Sequence, residues 1–254
     1  MERVQHIFAS LVLLIFVLSA AAADAASTEF VGQNSIWRFR DDGSEPESFW
    51  HTPNFGDSGW SSGPGQFGYG EGDEITGILR GVPPTITHYF RRTFAVARPA
   101  DYGTLLFQVL RDDGVVVYLN GNEVFRMNMP EGPITYQTPA SSQVTGADES
   151  TWFPTNISAA WLVPGTNTLA VELHQTSGTA DASFDLSLIG IEALQSPTLL
   201  LDRQGVPATL RWNDLDFRLE QAPLPAGGWS WITNAVSPYE IPAGGSRLFR
   251  LRSR

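Results

Sequence analysis

Beyond residue 26 the chain is built from short runs in which apolar and polar residues alternate, each closed by Gly, Pro, Asn or Asp. A period of two marks a strand with one buried face, and those four residue types turn the backbone. The runs predict strands at Ser35–Arg40, Thr87–Val96, Thr104–Leu110, Val115–Asn120, Glu123–Met127, Thr168–His174 and Ser183–Ile191. Four more follow at Ala208–Trp212, Phe217–Gln221, Trp229–Thr233 and Leu248–Arg252. No comparable stretch carries apolar residues at the helical period of 3.6. Segments 41–66, 68–86 and 128–160 lack alternation and hold most of the Gly, Pro and acidic residues, so long loops are expected there. The pattern predicts an all-β chain: a jelly-roll β-sandwich followed by a small second β-domain.

The first 25 residues break this pattern. Arg3 precedes the apolar run Ile7–Ala22, and Ala23-Asp24-Ala25 has the small-residue form of a cleavage site. That run is shorter than the roughly 20 residues a spanning helix needs, and no basic cluster follows it. Residues 1–25 are therefore expected to be a signal peptide. The remainder is expected to be secreted or periplasmic, with no membrane insertion after cleavage. There is no Cys among the 254 residues, which removes disulfides, thiolate zinc sites and thiol nucleophiles. An exported chain without disulfides must rely on its core. The 42% hydrophobic and 11% aromatic content is sufficient for one and excludes wholesale disorder.

Charge divides the chain near Gln195-Ser196-Pro197. Residues 27–195 hold 8 Arg against 20 Asp and Glu, a net of −12; residues 196–254 hold 7 Arg against 5, a net of +2. Domains 27–195 and 196–254 are expected, with the basic tail as a module for attachment to a protein partner. The overall charge of −11 disfavours nucleic acid, whose phosphates it would repel.

The most informative segment runs from Arg111 to Asn128. Asn120-Gly121 is a strong type I′ turn signal, because both central residues must adopt positive φ. A two-residue turn would set Tyr118 opposite Glu123, Val115 opposite Arg126 and Asp113 opposite Asn128. Strand alternation then gathers Asp113, Arg126 and Asn128 at the pole away from the turn, with Asp112 in the loop above. Two readings stay open. In one, Asp113 caps its own turn and pairs with Arg126. In the other, the cluster binds a polar ligand or a structural calcium ion, although no Asp-x-Asp-x-Asp-Gly loop is present. No other cofactor is expected.

Around this hairpin the chain resembles a galactose-binding-like jelly-roll module of exported bacterial proteins. The resemblance runs through Trp60 and Gly65-Gln66-Phe67-Gly68-Tyr69-Gly70, Tyr89-Phe90-Arg91-Arg92-Thr93-Phe94, Asp112-Asp113-Gly114 and Asn120-Gly121. It continues through Arg126 to Pro130, Leu162 to Asn167, Ala170 to Gln175 and Asp181 to Leu188. The tail is similar to a small β-module appended to such proteins, through Leu210-Arg211-Trp212, Phe217 to Glu220, Trp229 and Leu248 to Arg252. These resemblances imply the sandwich fold and an appendage role; the superfold hosts many functions.

Catalytic chemistry finds little footing. No Gly-x-Ser-x-Gly elbow occurs, and His51, His88 and His174 have no metal-ligand spacing. The best acid–base candidate is Glu172 with His174, which share a strand face. Gly63 to Gly72 reads as a series of surface turns. Sugar binding fits better, since aromatic rings stack on pyranose C–H faces while planar polar groups take the hydroxyls. The expected function is non-catalytic recognition of a carbohydrate or cell-surface polymer through loops at one pole. The candidate binding residues are Asp112, Asp113, Arg126, Asn128, an exposed Trp152 and His174. The alternatives are a structural or protein-interaction module and a small jelly-roll glycosidase or lyase.

Overall fold

The computed structural model describes residues 26–176, 180–193, 199–202, 207–212, 217–223, 228–242 and 247–253. The chain divides into two compact units between residues 194 and 195. The proposed signal segment 1–25 lies outside the described residues.

The larger unit contains twelve strands in chain order: β1 (Ser27–Val31), β2 (Ile36–Arg40), β3 (Ser61–Pro64), β4 (Phe67–Tyr69), β5 (Thr76–Gly77), β6 (Thr87–Val96), β7 (Tyr102–Asp112), β8 (Gly114–Leu119), β9 (Asn122–Met127), β10 (Trp152–Ser158), β11 (Gly165–His174) and β12 (Ala182–Glu192). One sheet has the order β10-β7-β12-β4-β5, with β1 also on β12, and the other β3-β2-β6-β11-β8-β9. The chain crosses from β7 in the first sheet to β8 in the second through one residue, Asp113.

Alternation places Trp37, Phe67, Phe90, Phe107, Phe184 and Leu186 in a common core, all fully buried. Phe90 lies 4.4 Å from Phe184 and 5.0 Å from Phe67 between ring centroids, the spacing of favourable aromatic pairs. These rings come from both sheets, so the pairs join the layers. The result is a β-sandwich.

The expected strands all form, with ends shifted by a few residues. The expected loops are more ordered than their composition implied: β3 lies in 41–66, β5 in 68–86 and β10 in 128–160. None of these segments alternates cleanly, because β3 and β5 are edge strands and β10 carries Pro154. The glycine-rich stretch is also not a series of surface turns. Gly68 is buried in β4, and a side chain there would collide with the Ala182 carbonyl of the neighbouring strand.

The smaller unit contains β13 (Leu200–Asp202), β14 (Thr209–Arg211), β15 (Phe217–Pro223), β16 (Ser230–Trp231), β17 (Tyr239–Glu240) and β18 (Arg247–Ser253). They form two three-stranded sheets, β13-β14-β17 and β16-β15-β18. Leu199, Leu210, Leu219 and Phe249 make its core. No described helix is long and apolar enough to cross a membrane.

Candidate functional site

The β8–β9 turn forms as its sequence requires, with φ of 52° at Asn120 and 88° at Gly121. Tyr118 faces Glu123, but a bulge then inserts Val124, so that Val117 faces Phe125 and Arg126 faces Val116. One extra residue moves every later side chain to the opposite face. Arg126 is therefore not part of the Asp113 cluster. Its Nε and Nη2 donate to Glu123 at 2.6 and 2.7 Å, and Nη1 donates to the Pro130 and Gly132 carbonyls.

Asp113 and Asn128 do meet, as parts of a loop anchor. Asn128, at φ 54°, donates from its amide to the Asp113 carbonyl at 3.1 Å and to the Ser142 carbonyl at 2.6 Å. The Asp113 carboxylate accepts from Val144 N at 2.6 Å, Thr176 N at 2.8 Å and the Thr176 hydroxyl at 2.9 Å. It thus caps neither its own turn nor Arg126. It ties two other segments to the sheet crossing, and it is fully buried.

His174 is likewise enclosed. Its Nε2 lies 2.8 Å from Glu172 Oε2, while Nδ1 faces the Thr138 carbonyl at 2.8 Å and the Thr87 hydroxyl at 3.0 Å. The acid–base pair expected from the sequence exists, but both residues are buried. Trp152, expected on an exposed loop, is half-buried and begins β10 opposite Leu110. Asp112, expected above the cluster, ends β7 opposite Ser183 and is 1% exposed. Neither of its carboxylate oxygens has a hydrogen-bond partner. Burial, the neighbouring Asp113 and the charges of Asp181 and Glu71 push its carboxyl up to about 9.

A more open arrangement lies on the other sheet. Ile36, Arg38, Asp57, Ser62, Arg92 and Thr93 line a cleft of about 390 Å³. Its floor is Arg91, whose Nε donates to Asp57 at 2.9 Å. The remaining guanidinium nitrogens donate to the carbonyls of Trp50, Thr52 and Phe55. One buried cation thus fastens residues 50–57 over the face of this sheet that points away from the core. Trp50 reinforces this by packing against Tyr89 at 4.9 Å and Tyr118 at 5.8 Å.

Asp57 balances Arg91, whereas Arg38 and Arg92 form no ion pair among the described residues. The cleft is therefore locally positive on an acidic unit, and it offers guanidinium, carboxylate and hydroxyl groups beside the exposed Ile36. Sequence reasoning did not single out Arg38 or Asp57, and it named Arg92 only within the motif carrying the resemblance, not as a binding residue. The only available signal was the rarity of Arg in residues 27–195 together with three of the eight falling at 38, 91 and 92.

In the smaller unit, Glu220 is buried under arginines: Arg250 Nε lies 2.8 Å away and Arg218 Nε 3.4 Å. Arg250 also stacks on Trp229 at 4.2 Å, and the neighbouring Trp231 is exposed.

No family model matches this chain, and no curated protein matches it. Among solved structures, it is similar to a β-glucuronidase from an uncultured Clostridium species, at 13% identity and a TM-score of 0.41, covering 93% of this chain and 44% of that one. A β-glucuronidase from Ruminococcus gnavus aligns at 10% identity and a TM-score of 0.43, covering 93% and 46%. One from Bacteroides uniformis aligns at 13% and 0.43, covering 90% and 28%. The chain spans less than half the length of each.

Proposed function

We propose that the protein is an exported, non-catalytic binding module of galactose-binding-like type whose larger unit recognises an acidic carbohydrate in the Arg38–Arg92 cleft. The carrying observation is that this open cleft presents two guanidinium groups without carboxylate partners beside hydroxyls and an apolar side chain. Guanidinium forks pair with sugar carboxylates or sulfates in a planar, two-point geometry. Ser62 and Thr93 suit sugar hydroxyls, and Ile36 suits a C–H face. The binding region moves from the pole to a sheet face, since the polar residues of the pole are largely engaged with one another.

A non-catalytic reading is supported by the burial of Glu172 and His174 within their own contacts. The smaller unit would serve attachment, through the face carrying Arg218, Arg250 and Trp231.

Affinity electrophoresis of the purified chain through gels containing uronate-bearing, sulfated or neutral polysaccharides tests this reading. Retardation by an acidic glycan is expected, weakened at least about tenfold in Arg38→Ala. No retardation on any glycan would leave the protein-interaction alternative standing. Steady release of reducing sugar would overturn the non-catalytic assignment.

A further inference from the structure

The opposite sheet carries a second arrangement of charge, where three strand ends meet. Asp112 closes β7, Asp181 precedes β12, and Glu71 follows β4. Pairing aligns them, with Ser183 opposite both Asp112 and Gly68, and Ala182 opposite Tyr69. Gly70 makes the approach possible: at φ 103°, a side chain there would sit 2.9 Å from both the Ala180 carbonyl and Asp181 Cβ. A single 3-10 turn, Gly146–Ser150, adds Glu149.

One oxygen from each of Glu71, Glu149 and Asp181 lies within 4.8 Å of the other two. Such a cluster could be a solvated acidic surface, but a separate observation points to a ligand. Asp112 is 1% exposed, no N–H or O–H donor reaches either of its oxygens, and across the strands it faces Ser183, whose hydroxyl donates to Glu71 Oε2 at 2.5 Å. Asp181 Oδ1 and the Tyr69 hydroxyl are also buried without a partner. Buried polar atoms are almost always satisfied, so several orphans together mark a place for a cation.

Arg111 does not fill that role. Arg111 donates to the Asp113 carbonyl and stacks on Phe153 at 4.4 Å, forming no ion pair with Asp112.

We propose that Glu71, Glu149 and Asp181 bind a calcium ion, with the buried Asp112 side chain behind them. An all-carboxylate donor set selects a hard cation. Three oxygens at the 4.8 Å limit lie about 2.8 Å from a common centre, so a slight closing of the segments brings them into the calcium–oxygen range of about 2.3–2.6 Å. Magnesium, at about 2.0–2.1 Å, would require the segments to close further or water to intervene. The ion would pin the 3-10 turn and the β4–β5 connection to the start of β12. This site lies apart from the Arg38 cleft, and its assignment does not rest on the carbohydrate reading.

The test uses the purified chain stripped with EDTA. Calcium titration should raise the melting temperature by several degrees, and terbium should give aromatic-sensitised luminescence that calcium quenches. Magnesium should do either only weakly. Glu149→Gln and Asp181→Asn should each weaken calcium binding at least about tenfold, whereas Glu131→Gln should leave it unchanged. Near-UV circular dichroism monitors folding of each variant. If Asp181→Asn does not fold, Glu149→Gln on its short turn decides the matter alone. An unmoved melting temperature with no terbium signal overturns the site, as does wild-type calcium affinity in Glu149→Gln. Glycan retardation measured in EDTA keeps this outcome separate from the carbohydrate reading.

Discussion

Arg91 and Asp112 are both ionisable, both in the larger unit and both buried, at 2% and 1% exposure, yet their surroundings are opposite. Arg91 gives its protons to one carboxylate and three backbone carbonyls. Asp112 leaves both oxygens unpaired among other acids. A saturated buried charge shapes the chain around itself, and here it builds the wall of a cleft. An unsaturated one is driven toward its neutral, protonated form unless a partner is added.

The contrast makes Arg91→Ala the most damaging single change. It strands Asp57 and three carbonyls, and a loss of about 4 kcal/mol is expected in urea denaturation. Arg91→Lys should recover only part of this, because an ammonium cannot reproduce the fork that spans residues 50–57. Full stability in Arg91→Ala would mean that the aromatic packing of Trp50 alone holds the wall. Asp113→Ala comes next, at about 3 kcal/mol, since it removes the acceptor for Val144 and Thr176 while leaving their donors buried. A small effect there would show that solvent reaches the crossing. Arg126→Ala should cost about 1 kcal/mol and leave glycan retardation unchanged, because its pair with Glu123 and its bonds to the Pro130 and Gly132 carbonyls are only partly buried. A large effect on retardation would return Arg126 to the binding surface.

Much of the fold could be read from alternation alone, because the strands that build the core have one apolar face. Thr87–Val96 is a case in which pattern and structure agree at both ends. β3, β5 and β10 could not be read this way, since edge strands have no second neighbour to impose alternation. The site was less legible than the fold. The Asn120-Gly121 turn was correctly placed by its local chemistry, but the Val124 bulge has no local sequence signature, and it alone separates Arg126 from Asp113. The Arg38 cleft arises from strand pairing that sets residue 38 beside residue 91, a long-range register that composition does not encode. Trp152 illustrates the same limit, being half-buried through its pairing with Leu110 in β7.

The one-residue passage from β7 to β8 has a mechanical consequence. Consecutive Cα atoms stand at most about 3.8 Å apart, so a crossing this short allows the two layers almost no sliding at that pole. The Asn120-Gly121 end has no such constraint, because its turn joins two strands of one sheet. Shear between the layers should therefore pivot about Asp113, with displacement growing toward the hairpin tip. An insertion at residue 113 would loosen the whole sandwich, whereas one at the tip would lengthen only a loop.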